Sequence, residues 1–397
     1  MRAAFNPNVS ERELDFFEKG AVELEKWISG ERLIQRFEEW APKKLAYEKD
    51  KIGVLVGGLH KKVKRVMVTL DVLENVADEA AEKHVDLIIA HHPLIFHPLN
   101  YVRSDEGQGK IVTKCVKHDI AVYAAHTNLD IAEGGVNDML AAQLGLTDTE
   151  ILQPTYHEPL YQITVYAPES HAEAIRQVLG DAGAGEIGCY SSCSFSVKGT
   201  GTFLPQSGAQ PFLGKIGQAE KAEEERIEAI APDHLLQSII SKMIKAHPYE
   251  EPVYQAIPLK NEGKAYGLGR IGKLPEALPF ETYCQIVKKQ LGLEGLRAIG
   301  PADAKVRTIA ISGGDGNSLI PYAKYRGADV LITGDIYYHT AHDALLCGLN
   351  VIDAGHYIES VMKQGVHDYL TKVIAEEKCD TEVLVSESVT NPFHFVV

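Results

Sequence analysis

Residues 86–99 read DLIIAHHPLIFHPL, an apolar run that stops on two adjacent histidines, His91 and His92, and then a proline. The run is short, apolar throughout and bounded by polar residues, as expected of a strand buried on both faces of a parallel sheet. Its neighbours agree. RVMVTLD (65–71) reads as a strand, VLENVADEAAEKH (72–84) as a helix, GKIVTKCVKHD (109–119) as a helix, IAVYAAH (120–126) as a strand and GVNDMLAAQLG (135–145) as a helix. Strands that alternate with helices of this length define βαβ units.

The rhythm returns near the C-terminus. Strands are expected at 306–312, 329–334 and 350–355, with helices after each, the last a single long helix from His356 to about Glu377, and TEVLVS (381–386) closes the pattern. From the pattern alone, the two α/β halves could share one sheet system or form two lobes that face each other. The middle differs: strand, helix, short strands, the acidic segment GQAEKAEEERIEAIA, helix, strand, which is close to a ferredoxin-like β-α-β-β-α-β unit. The expected domains are a first α/β lobe with an N-terminal helix (1–156), an inserted α+β domain (157–259) and a second α/β lobe (260–397). Residues up to about Trp40 read as a charged amphipathic helix.

Composition narrows the function. At 397 residues and 45% hydrophobic, the chain can bury the cores of two or three domains. A formal net charge of −15 argues against sequence-independent nucleic-acid binding. No apolar run is long enough for a membrane span and the first residues contain no signal-peptide core, so a cytoplasmic location is expected. Six scattered cysteines suit reduced thiols, and Cys189 and Cys193, with no second pair, read as buried thiols and not as a zinc knuckle.

In a parallel sheet the carboxyl ends of the strands line one edge, where ligands bind. The residues after these strands are His91 and His92, then His126 and Asp130, then Asp335, His339 and His342, then His356 and Glu359, with Asp71 ending the opening strand. Nitrogen and oxygen donors without thiolates suit zinc, iron, manganese, cobalt or nickel. Side chains of adjacent residues diverge in extended backbone, so His91 and His92 serve two ions better than one, and Glu359 or Asp130 could bridge them. Two such ions make a hydrolytic centre. His84, His97, His118 and His157 read as ordinary hydrogen-bonded loop residues. SGGDG (312–316) could cradle a phosphate but reads first as a tight turn, and HPYEEP (247–252) as a rigid proline turn.

Together, WAPKKLAYEKDKIGVLVG (40–57), IIAHHPLIF (88–96), AAHTNLDIAEGGVNDMLA (124–141), LITGDIYYHTAHDA (331–344) and DAGHYIE (353–359) resemble the NIF-three-like dinuclear-metal proteins, which carry the name GTP cyclohydrolase 1 type 2. The resemblance implies two facing α/β lobes with parallel-rich sheets and a two-metal site between them. It implies His91, His92, Asp130, His356 and Glu359 as ligands, His126 as a near-site histidine, and a toroidal homohexamer. GCYSSCSF, GTGTF and HPYEEPVY resemble the PII- or CutA-like insertion of longer bacterial members. Some members space the last histidine and glutamate by four residues; here the spacing is three, and Ser360 holds the fourth position. The expected function is that of a metal-dependent hydrolase with two divalent ions, zinc by default with iron or manganese as alternatives, acting on a small molecule such as GTP. Water would add at the purine C8 and the ring would open, with His126, His339 or His342 moving protons. The alternative is a non-enzymatic metal-binding regulatory or scaffold hexamer whose insertion senses a ligand.

Overall fold

A computed structural model describes residues 26–396. The part of the expected N-terminal amphipathic helix before residue 26 lies outside them; the described part forms a helix over Gly30–Trp40, capped by the Ser29 hydroxyl accepting from the Arg32 N–H. The described residues divide into two compact units, residues 26–153 with 267–396, and residues 154–266. Among the described residues no helix is long and apolar enough to cross a membrane.

The first unit holds two sheets of mixed α/β architecture. In one, the strand order is Gly53–Val56, Ala121–Ala124, Leu87–Ala90, Arg65–Thr69, Glu382–Val385. All neighbours are parallel except the first pair, and Ala90 sits level with Ala124 on one side and Thr69 on the other. Helices Glu74–Glu82 and Gly107–Lys117 are the crossovers, burying Val76, Ala77, Ala80, Ile111 and Cys115 against Met67, Ile88 and Val122. Leu87–Ala90 is buried at every position, which is why its sequence shows no polar alternation.

The second sheet of this unit centres on three parallel strands, Lys305–Asp315, Val330–Gly334 and Asn350–Asp353. Antiparallel partners flank them: residues 270–279 of strand Tyr254–Pro279 on one side and Arg297–Ile299 on the other. Glu382–Val385 departs from the order along the chain. It follows the second half in sequence yet hydrogen-bonds in parallel to Arg65–Thr69 in the first sheet, Val383 beside Val66. Local pattern identifies a strand but not the sheet it joins.

Residues 154–266 carry helices Glu169–Asp181 and Asp233–Ala246 over strands in the order 194–203, 220–232, 160–168 and 254–266. Ile163, Val165, Ile175, Ile227, Ile239 and Met243 form their core. The segment read as an acidic stretch between elements is strand Glu220–Pro232, with Ile227, Ala229 and Ala231 buried in alternation beneath its glutamates. The strand is amphipathic, and charge count alone conceals that period of two. The expected burial of both Cys189 and Cys193 does not hold: Cys189 is exposed and Cys193 partly so, while Cys115 and Cys284 are the buried thiols.

One ion pair ties helix Val136–Gln143 to the second sheet. The Arg270 guanidinium, almost wholly buried, donates from Nε and Nη2 to the two Asp138 oxygens at 2.6 and 2.7 Å, and to the carbonyls of Gly267, Gly269 and Ala132. Removing the carboxylate leaves a buried cation without its counter-charge, which costs about 3 kcal/mol or more. Asp138→Ala is therefore expected to lower the unfolding free energy by about that amount in a urea titration, and an unchanged midpoint would refute this role.

Candidate metal centre

The carboxyl ends of three strands converge at one place in the first unit. The His91 N–H donates to the Thr69 carbonyl and the His92 N–H to the Leu70 carbonyl, so the backbone stays extended past Ala90. The two imidazoles diverge accordingly, with ring centres 5.1 Å apart and tilted by 46°. His126 follows strand Ala121–Ala124, and the short helix Thr127–Ile131 carries Asp130 back towards it. From the second sheet, Gly355 at φ 81° turns the chain after Asn350–Asp353 into a 3-10 helix, His356–Val361. The expected long helix is thus two pieces, because Met362–Glu376 begins only afterwards. A 3-10 turn has three residues, so positions i and i+3 eclipse. That accounts for the three-residue spacing: His356 Nε2 and Glu359 Oε2 lie 3.2 Å apart.

Glu359 is the hub. Its buried carboxylate, 4% exposed, places Oε2 at 2.9 Å from His92 Nε2 and 3.7 Å from His91 Nε2, in addition to His356. The donor atoms form three groups, each within 4.8 Å: His91, Asp130 and Glu359; His92, His356 and Glu359; and His91, His92 and His126. Two of the three groups share Glu359.

Each imidazole is held by its other nitrogen. His91 Nδ1 lies 2.8 Å from the Ala125 carbonyl, His92 Nδ1 2.6 Å from Asp71 Oδ1, His126 Nδ1 2.8 Å from Asp50 Oδ1 and His356 Nδ1 2.6 Å from Asp335 Oδ2. None of these oxygens carries a hydrogen except a protonated carboxyl's, so each Nδ1–H donates and each Nε2 is turned to the centre. This is how metal-ligating histidines are oriented. Asp50 also accepts from the Thr127 N–H and hydroxyl, which fixes it in turn.

Two atoms test the fit to a metal ion. His91 Nε2 and Asp130 Oδ1 are buried, have no hydrogen-bond partner, and lie 3.5 Å apart. Orphaned buried polar atoms cost about 1–3 kcal/mol each, and a cation between them relieves both. The donor set of imidazole nitrogens and carboxylate oxygens fits a divalent transition ion.

The electrostatics of the metal-free cluster agree. Burial opposes charge on His92, but Asp71 and Glu359 outweigh it and lift its pKa to about 10. His356, beside Glu359 and Asp335, rises to about 9 despite burial. Burial pushes Asp130 up to about 6, partly offset by His91 and reinforced by Glu359. Burial would also raise Glu359, but His356, His91 and His92 hold it well below the usual carboxylate range.

Sequence reading placed the metal candidates His91, His92, Asp130, His356 and Glu359 at strand ends, and all five lie in these groups. His126 joins them as a donor. His339 and His342 do not: both are exposed on helix Tyr338–Cys347, flanking the Tyr338 ring at 5.4 and 4.9 Å, and neither belongs to any group among the described residues. SGGDG is not the expected tight turn: Ser312–Asp315 continue strand Lys305–Asp315, whose register with Val330–Gly334 shifts between Ile311 and Asp315, and the two glycines pack on the hub. A Cβ on Gly313 would lie 2.8 Å from Glu359 Cγ, and one on Gly314, at φ +62°, 2.7 Å from Glu359 Oε1. Two contributors were missed. Asp50 sits in a charged run, EKDK, with nothing to mark it. Asn137, fully buried, donates to the Asp130 carbonyl and accepts from the Gly313 N–H, joining the two sheets' loops.

Fold and site together define an α/β protein with a candidate metal centre of histidines and carboxylates. The chain belongs to the Duf34/NIF3 (NGG1p interacting factor 3) family, whose profile matches residues 28–392. The GTP cyclohydrolase 1 type 2 homolog of Bacillus subtilis is 50% identical over 373 residues, spanning 94% of this chain and 100% of that protein. Its namesake from Halalkalibacterium halodurans is 50% identical over 371 residues, with the same shares. Among solved structures, a Bacillus cereus protein related to NIF3 matches with a TM-score of 0.88 at 50% identity over 94% of this chain and 100% of that one. A Staphylococcus aureus protein matches with a TM-score of 0.76 at 30% identity over 94% and 99%.

Metal must displace the protons that the raised His92 and His356 values keep on their rings at neutral pH. Zinc binding near pH 7 is therefore expected to release about two protons per chain, and its affinity to climb as pH rises towards 9. Calorimetry in buffers of differing ionisation enthalpy reads this directly; heats independent of the buffer would contradict it.

Proposed function

We propose that this chain is a dinuclear metal-binding protein and a metal-dependent hydrolase of the GTP cyclohydrolase 1 type 2 kind, acting on a nucleotide or related small molecule. The observation that carries the reading is the Glu359 carboxylate, shared by two donor groups: His91 and Asp130 on one side, His92 and His356 on the other. Those residues would hold two divalent ions, one per group, with Glu359 common to both. Zinc is the default for this donor set, with iron or manganese as alternatives. When bound, such ions supply Lewis acidity and lower the pKa of water.

The chain's own residues supply the rest. Asp71, Asp335 and Asp50 hold the His92, His356 and His126 rings in place. His126 is partly exposed and its Nδ1–H is committed to Asp50, so Nε2 is the atom at which it takes up or delivers a proton. We assign proton transfer to His126 and leave His339 and His342, off the donor groups, without that role.

The same reading extends to the architecture. Residues 154–266 are read as the ferredoxin-like, PII/CutA-like insertion, supported by their order of strand, helix, two strands, helix and strand. The α/β lobes on either side of it are read as facing one another. A cytoplasmic homohexamer is the proposed assembly; exposed Tyr325, Tyr338 and Leu346 offer apolar surface for subunit contact.

The test combines metal analysis with turnover. Wild-type protein is expected to carry two ions per chain and to hydrolyse GTP or a phosphoester in a metal-dependent way. His92→Ala and Glu359→Ala should reduce turnover about a hundredfold or more with oligomer size unchanged, and Asp71→Asn should weaken metal affinity about ten- to a hundredfold. One ion per chain would refute the shared carboxylate. Intact, metal-loaded protein without turnover on a broad panel would favour the regulatory hexamer.

A further inference from the structure

The metal centre leaves two sequence features unexplained, GTGTF (199–203) and HPYEEPVY (247–254), which lie far apart in the chain. Within residues 154–266 they line the same cavity, of about 400 Å³. Phe203, Phe212 and Tyr249 supply aromatic walls, with Phe203 and Phe212 centred 6.1 and 6.2 Å from the Tyr249 ring. Glu224, Glu250 and Glu251 supply the charge, and no lysine, arginine or histidine lines the cavity. Among the described residues no ion pair reaches any of these three carboxylates.

The walls are preorganised. The Tyr249 hydroxyl donates to Glu224 Oε1 at 2.7 Å, and its backbone N–H donates to His247 Nδ1 at 3.1 Å. His247 Nε2–H donates in turn to the Tyr166 carbonyl at 2.9 Å, which fixes a neutral tautomer, and burial lowers its pKa. The Gln210 N–H donates to Glu250 Oε2, fastening the loop that carries Phe212. Gly201 makes room for the acid: a Cβ there would meet Glu224 Oε2 at 2.3 Å. Glu224 lines the cavity together with Phe203, Phe212 and Tyr249.

We propose that this cavity is a binding site for a small organic cation, an amine or quaternary ammonium with an apolar body. Aromatic faces attract cations through their quadrupole, and a carboxylate at the end of the aromatic space completes the recognition. The volume matches a molecule of metabolite size. The same carboxylates repel anions. The inference does not depend on the metal centre or on any turnover.

The test is calorimetric titration of the full-length protein with 2-phenylethylammonium, the uncharged 2-phenylethanol and the anionic 3-phenylpropionate, three probes of similar shape. The cation is expected to bind, with the alcohol and the acid at least about tenfold weaker. Glu224→Gln, which keeps the shape and the hydrogen bond from Tyr249, should weaken the cation about tenfold, and Phe212→Ala should do so independently. Glu223→Gln, exposed and outside the cavity, should change nothing. Equal binding of the three probes, failure of the cation to bind at millimolar concentration, or full affinity in Glu224→Gln with an unchanged circular dichroism spectrum would overturn the proposal.

Discussion

A buried carboxylate ringed by imidazoles is the interaction on which the first unit depends. Glu359 comes from the second sheet's loop, while His91 and His92 come from the first sheet's central strand. An isolated buried carboxylate would be prohibitively unfavourable, and burial on its own would neutralise it. It stays ionised because the rings facing it accept charge, and they do so because carboxylates stand behind His92 and His356. The charges alternate outward from the centre: anion, cation, anion. Each layer is stable only while the next is present.

That alternation explains the density of special backbone around the centre. Gly313 and Gly314 let the irregular end of strand Lys305–Asp315 approach Glu359 more closely than any side chain would permit. Asp335, which backs His356, takes the left-handed conformation at φ 57°, uncommon outside glycine. The 3-10 turn puts two donors in one line. Strain of this kind persists where surrounding structure compels it, and here the carboxyl ends of three strands do so.

Much of this was legible in the sequence because parallel sheets are readable objects. Buried strands such as LIIA and VLITG show as apolar runs, and the residue after each run is at the binding edge by geometry alone. That geometry placed His91, His92, Asp130, His356 and Glu359 among a longer set of strand-end residues, and the family resemblance singled them out as ligands. What could not be read was whatever depends on distance across the fold. Asp50 supports His126 from 76 residues away, and no local pattern marks such a pair. His339 and His342 follow a strand as well as His356 does, but their helix carries them out to solvent. The glutamate-rich strand 220–232 was obscured because its polar face is unusually acidic, and its buried face is small, mostly alanine. The last strand was recognisable, its partner was not.

That last strand has a bearing on how the molecule is made. Residues 382–385 complete the sheet begun at residue 65, so the chain is laced closed by its tail. As the polypeptide leaves the ribosome, the 65–69 strand waits with an unpaired edge through more than three hundred residues of synthesis. Open edges of this kind invite pairing with other chains. A form clipped before residue 382 would keep every donor to the centre and still display that sticky flank.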